Sequence, residues 1–421
     1  DRYPHSFLYL YMEEPESSPI INNCIFKENN FHIIQAEIGG TLTFNNCLFE
    51  NYSSDYLLEL GHINSKGTTG GTIYENCTFQ NHINHKCAIY GGYEFHNHTF
   101  KQCIIQDNHA RESNYPGGLY SDVVNEDYMR SFGYIIIDNC SFINNTGHHV
   151  GGGARIDSVS LVSIDNTYFI DNKVETEGSN NDFGGGLYIY QSSNIIPISN
   201  CHFINNYAKD CGGGLFFGLF ESDYESEVAY NIPVIVEGCT FTNCSSSQYG
   251  GGIGSGSLRD KDTESATGTG DLRISDCEFK DCQARFGGGI STYNGTREGD
   301  EETNITNCIF DHCSGYQGGC IRSCSYKFTL QDSTFINNSN DYTPNDLEPP
   351  SEDYPPWMGP TDPLDRYPHS FLYLFMDENE VNPEILRCIF SQNQINTIQT
   401  KVKGTLYLFD CTFENYPQNN L

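Results

Sequence analysis

The sequence predicts an all-β fold, a parallel β-helix with three short strands per coil. Three observations predict it. A Cys-x-Phe motif recurs along the 421 residues at intervals of 23 to 38 residues. An alternating apolar stretch precedes each copy, and a glycine cluster ending in an apolar residue follows it. No stretch carries helical periodicity, and such scatter in the interval suits a solenoid whose loops project without disturbing the stack.

The motif reads Cys24–Phe26, Cys47–Phe49, Cys77–Phe79, Cys140–Phe142, Cys201–Phe203, Cys239–Phe241, Cys277–Phe279 and Cys308–Phe310. Thr167–Phe169 and Ser333–Phe335 put a hydroxyl residue in place of the cysteine, and Cys103 keeps the cysteine alone. Three residues beyond most of these phenylalanines stands Asn or Cys: Asn145, Asn172, Asn206, Cys244, Cys282, Cys313 and Asn338. Ile164, Ile198, Val236 and Ile274 each lie three residues before the Thr or Cys of the motif. On one unbroken strand, residues three apart face opposite sides, so the chain must turn between them. Asp165–Asn166, Ser199–Asn200, Glu237–Gly238 and Ser275–Asp276 are suitable turn residues. Phe then faces inward with Cys, and the Asn or Cys beyond it ends the strand. A column of Asn at that corner can share amide hydrogen bonds from coil to coil. A leucine-rich repeat would need its leucine ladder, and a propeller a steadier period of about 40–45 residues.

The glycine clusters Gly152–Ala154, Gly185–Leu187, Gly213–Leu215, Gly251–Ile253 and Gly288–Ile290 pair with Phe-x-x-Asn at Phe142–Asn145, Phe169–Asn172, Phe203–Asn206 and Phe335–Asn338. This pairing resembles the repeats of chlamydial polymorphic outer-membrane proteins and of related protist surface proteins. The resemblance spans most of residues 20–340 and implies a right-handed parallel β-helix on a cell surface, often adhesive. The chain is richer in the cysteine before Phe than that family, and it shows no C-terminal membrane barrel.

A second, longer period is present. Asp1–Leu10 recurs identically as Asp365–Leu374, and the register holds without a gap to Leu421. Residues 1–340 are therefore expected to form one β-helix unit, 341–364 a Pro- and acid-rich linker, and 365–421 the start of a second tandem copy. The apolar strand carrying Phe7, Tyr9 and Tyr11, with its copy at Phe371, Tyr373 and Phe375, has high β-propensity and no polar cap. It is the expected assembly strand, pairing copies of the protein head to tail.

The formal net charge is −33, from 22 Lys and Arg against 55 Asp and Glu. Nucleic acid and anionic membrane would repel such a chain. No run approaches 18 apolar residues, so no membrane span is expected in this segment. Eighteen cysteines and nine N-x-Ser/Thr sequons point to an extracellular setting, secreted or at the cell surface. The glycan acceptors proposed from sequence are Asn51, Asn97, Asn144, Asn294, Asn304 and Asn337, of which Asn294 and Asn304 read as lying in a polar loop. Asn76, Asn139 and Asn243, beside core cysteines, are expected to be hidden. Cys87, Cys211, Cys244, Cys282 and Cys313 are the disulfide candidates, because rungs about 4.8 Å apart fall within disulfide range.

Acid residues are spread over loops such as Asp260–Asp262 and Gly299–Glu302 rather than gathered. They offer oxygen ligands for Ca²⁺ without an ordered ligand motif, so no cofactor is expected, and no zinc spacing occurs. His148 and His149 stand near no carboxylate pair in sequence. With no catalytic residue assigned, the expectation is a non-enzymatic extracellular structural protein, a tandem β-helix rod assembling into a filament or coat. The alternatives are a surface adhesin of the same fold and a polysaccharide-active β-helix enzyme, lyase or glycoside hydrolase.

Overall fold

The computed structural model describes residues 8–12, 14, 16–27, 34–38, 40–51, 58–59, 71–84, 86–91, 97–122, 133–157, 161–176, 182–190, 195–220, 233–258, 271–293, 302–325, 327–339, 370–376, 382–393 and 396–415. The linker 341–364 and Phe7 lie outside them. The chain divides into two compact units, Asp1–Lys209 and Asp210–Leu421. Each is a right-handed parallel β-helix: every named strand pair is parallel, and each strand pairs with its counterpart one coil away.

In the first compact unit, one sheet runs from Ile20–Asn22 through Tyr134–Asp138 to Ile196–Ser199. A second runs from Ile25–Lys27 through Ser141–Ile143 to His202–Ile204. The third carries Leu58–Glu59, Ile89–Gly91, Leu119–Asp122, Ala154–Asp157 and Leu187–Tyr190. The expected three strands per coil need one addition. Two-residue strands such as His109–Ala110, Thr146–Gly147 and Lys173–Val174 form a fourth, narrow sheet after the Asn corner. In the second compact unit the first three sheets recur, for example as Leu272–Ser275, Glu278–Lys280 and Ile290–Tyr293.

The corners form where parity requires them. Asn166, Asn200 and Asp276 have φ of 50°, 51° and 55°, and Gly238 has 62°. Asn and Asp tolerate this left-handed conformation better than other non-glycine residues. The residue after the corner locks it: the Cys201 thiol donates to Ser199 O at 3.1 Å, and the Thr167 hydroxyl to Asp165 O at 2.8 Å. The Ser333 hydroxyl does the same to Gln331 O at 2.9 Å. Cys, Thr and Ser interchange there because each supplies a small inward-facing donor.

The phenylalanines stack as expected. Phe26, Phe49 and Phe79 lie face to face at 4.9 and 4.7 Å, and Phe142, Phe169 and Phe203 at 4.9 Å. Between Phe79 and Phe142 the column is continued by Ile105, in the coil whose motif lost its phenylalanine. In the second compact unit Phe241, Phe279, Phe310, Phe335, Phe390 and Phe413 stack at 4.7 to 5.0 Å. Close approach explains the glycine clusters: a Cβ on Gly153 would lie 2.6 Å from Gly186 O and 3.2 Å from the Phe169 ring. Gly151, just before, has φ of 56°.

Candidate functional site

The third sheet of the first compact unit carries charge on its outer side. Leu119, Ala154 and Leu187 are buried inward, so their neighbours Tyr120, Arg155 and Tyr188, which pair in register, face away from the core. The Arg155 guanidinium lies over the Tyr120 ring at 4.8 Å and the Tyr188 ring at 5.6 Å. Its Nε donates to Asp157 Oδ1 and Oδ2 at 2.9 and 2.8 Å, and the Tyr120 hydroxyl donates to Asp157 Oδ2 at 3.1 Å. Asp157 is only 3% exposed. Burial pushes its carboxyl above the usual aspartate range, while Arg155 and Tyr120 pull it the other way. Backbone register places Asp122 opposite Asp157, with Tyr190 on the next rung.

The cluster continues into the neighbouring loop. Arg155 Nη1 donates to Asn114 O at 2.7 Å, and Asn114 N donates to His148 O at 3.0 Å. The His148 and His149 rings meet edge to face at 4.5 Å. Burial and the neighbouring His149 lower the His148 pKa. His149 Nδ1 is 3.1 Å from Oδ1 of the fully buried Asp182, whose Oδ2 accepts from Thr176 N at 2.6 Å. His149 is held at φ of 73°, a conformation uncommon for a non-glycine residue and often found at functional sites. Asp182 arrives from the next coil, 33 residues on, and sets one carboxylate, not a pair, beside His149. Tyr115 packs edge to face on Tyr120 at 5.6 Å, and Lys86 lies 5.7 Å from the centre of its ring.

Sequence reasoning missed Arg155, Asp157 and Asp182, although one signal was present. After each Gly-Gly pair the strand is mostly apolar or small, and Arg155 and Asp157 break that pattern. A carboxyl, a guanidinium and tyrosine rings in one place suit a ligand rich in hydroxyls. Among the described residues no group of three or more His, Cys, Asp or Glu is placed to hold a metal ion. The acidic segment Asp260–Asp262 lies outside the described residues.

Of the residues proposed from sequence, Cys87 packs against Tyr120 of this cluster. All eighteen cysteines are free thiols in the structure. Cys244, Cys282 and Cys313 form one buried corner column in the second compact unit, where Cys211 is also buried; Cys87 is buried against Tyr120 in the first. Asn51 and Asn144 are exposed, whereas Asn97 and Asn337 are half-buried. Asn304 sits in the strand Glu302–Thr306 rather than in a loop, and Asn294 lies outside the described residues. Asn76, Asn139 and Asn243 are exposed rather than hidden, because each occupies a left-handed corner at φ of 51° to 54°. Phe371 and Tyr373 are buried in Ser370–Met376, which also contains Phe375; Tyr9 and Tyr11 lie in Leu8–Met12.

No family model matches the chain. The metabotropic glutamate receptor-like protein R of Dictyostelium discoideum is 25% identical over 231 residues, which are 48% of this chain and 13% of that protein. Among solved structures, the catalytic unit of a thermostable GH87 α-1,3-glucanase from Streptomyces thermodiastaticus strain HF3-3 aligns over 93% of this chain and 63% of that one. Its TM-score is 0.39 at 8% identity. This match corrects the expectation of a non-enzyme: the solved chain to which the β-helix aligns is a catalytic unit. The likeness carries no argument about substrate or reaction. Among the described residues no helix is long and apolar enough to cross a membrane.

Proposed function

We propose that the chain is an extracellular, polysaccharide-active β-helix whose working face is the outer side of the third sheet in the first compact unit. One observation supports this reading above the others. Asp157, its carboxyl pKa raised by burial, stands in register with Asp122, beside Arg155 and the Tyr120 and Tyr188 rings. In this reading Asp157 protonates the leaving oxygen, and Arg155 and Tyr120 orient sugar hydroxyls. The exposed sequons at Asn51 and Asn144 support a secretory route. The Gly-Gly and Phe-x-x-Asn repeats, which resemble those of surface proteins, support the same setting. A surface rod or adhesin of tandem units is the second reading, favoured by the 364-residue repeat.

The test is release of reducing ends from a panel of polysaccharides, α-1,3-glucan included. The native chain is expected to cleave one of them. Asp157→Asn is expected to lower the rate at least 100-fold with the far-ultraviolet circular dichroism unchanged. No cleavage of any polysaccharide, or equal rates for the variant, would sink the enzymatic reading and leave the second.

A further inference from the structure

Positive charge gathers on one side of the first compact unit, although the chain as a whole carries 55 acids against 22 Lys and Arg. Of the seven Lys and Arg described in that unit, all but Lys27 and Lys101 lie on the fourth sheet, on the Arg155 strand or in the loops between the two sheets. The fourth sheet presents one outward column. Ala110, Val174 and Ala208 are buried, so the residues before them, His109, Lys173 and Tyr207, face out, with Thr146 between His109 and Lys173. Two rungs separate His109 from Lys173, about 10 Å. Arg111 is exposed just beyond the His109 strand. Burial, then Arg111, Lys173 and His148, lower the His109 pKa, so every charged group acting on it is basic. Lys173 meets Glu175 at 3.9 Å, but both side chains are more than half exposed, and such a pair is worth little.

His148 and His149 close the gap to the third sheet. The left-handed backbone of His149 is pinned: its N donates to Thr176 Oγ1 at 3.2 Å, and its O accepts from Phe183 N at 2.8 Å. Lys209 Nζ donates to Thr176 O at 3.4 Å, which brings another cation to the same loop. His148 Nδ1 is buried and meets no hydrogen-bond partner among the described residues. A buried polar atom of this kind is costly until something meets it. Asn114 ties the column to the Arg155 face, since its O accepts from Arg155 and its N donates to His148 O.

We propose that the outer column of the fourth sheet, with Arg111 and the His148–His149 pair, is a subsite for the anionic groups of an acidic polysaccharide, carboxylate or sulfate ester. The proposal rests on the polysaccharide reading above and names its substrate class. Charge complementarity calls for an anion, and the adjoining carboxyl and tyrosines for a ligand bearing hydroxyls. The sugar hydroxyls meet the Arg155 face while the charged groups reach Arg111 and Lys173. Elsewhere the net charge of −33 repels such a polymer, which confines it to this strip.

The test is retention of the full chain on immobilised polygalacturonate, dextran sulfate and neutral dextran. The native chain is expected to hold at least one acidic polymer more tightly than dextran, and to release it as salt is added. Preference for polygalacturonate identifies carboxylate as the ligand group, and preference for dextran sulfate identifies sulfate. The double variant Arg111→Glu, Lys173→Glu is expected to bind at least tenfold more weakly with unchanged far-ultraviolet circular dichroism. Lys27→Glu with Lys101→Glu makes the same change of charge away from the strip and is expected to leave binding within twofold. Asp157→Asn is expected to keep the binding, which separates this subsite from cleavage. Retention of an acidic polymer that is never cleaved upholds the subsite and sinks only the enzymatic reading. No retention of either acidic polymer, whatever neutral glucan is cleaved, or equal weakening by the two double variants, would overturn the proposal.

Discussion

The corner that follows the phenylalanine column is built from different chemistry in the two compact units. In the first it is a ladder of buried asparagines. Asn108, Asn145 and Asn172 each donate Nδ2 to the Oδ1 of the next, ending at Asn206, at 3.0 to 3.1 Å. Each also donates to a carbonyl of the preceding coil, as Asn172 does to Phe142 O at 2.8 Å. Their Oδ1 atoms accept backbone amides, as Asn206 does from Asn172 N at 3.0 Å. In the second compact unit Cys244, Cys282 and Cys313 take this position before Asn338 and Asn393 restore the ladder. The Cys282 thiol still donates to Phe241 O at 3.3 Å, and Cys313 to Phe279 O at 3.4 Å. A thiol is a weak donor and a weak acceptor, so it keeps the carbonyl contact without the amide chain. The difference teaches that the corner requires a small inward donor, and that the ladder adds cross-coil bonding where Asn supplies it.

Three experiments sharpen or break this comparison, from the largest effect to the smallest. Asn172→Leu removes the acceptor of Asn145 N and Asn145 Nδ2, at 3.0 Å each, and the donor to Phe142 O. Each buried group left unpaired costs about 1–3 kcal/mol, so a loss of about 4 kcal/mol is expected in urea unfolding. Amide exchange should accelerate in the flanking coils first. A loss under about 1 kcal/mol would show that the ladder contributes little. Cys313→Asn extends the ladder by one member, because Cys313 N already donates to Asn338 Oδ1 at 2.8 Å. Its stability is expected within about 1 kcal/mol of the native chain, since new hydrogen bonds of this kind are worth about that much. A loss of several kcal/mol would mean that the column is shaped for thiols.

The smallest effect is at the exposed corner where Arg387 meets Asp332. Hydrogen bonds from Arg387 and then Gln331 hold the Asp332 carboxyl down to about 2. A depressed carboxyl stabilises the fold above its unfolded pKa of about 3.9, and that contribution disappears as pH falls through about 2. Stability between pH 5 and pH 2 should therefore fall more steeply in the native chain than in Arg387→Gln. Parallel pH profiles would contradict the pairing.

The β-helix was legible because its signals are local and repeated. Inward residues alternate by two, corner residues tolerate positive φ, and Phe recurs once per coil; each is visible in a stretch of about ten residues. The coil that stacks Ile105 in place of Phe, and the narrow fourth sheet, were less legible because their residues follow no strong type. The cluster at Arg155, Asp157, His149 and Asp182 was not legible at all as a cluster. Its members come from different coils, and the loops between coils vary in length, so spacing along the chain does not state which acid meets which base. Sequence alone determined the solenoid, its corners and the 364-residue duplication, because one coil's pattern specifies the next. Tertiary stacking decided which outward side chains meet, because residues some 30 apart in the chain lie one rung, about 4.8 Å, apart in space.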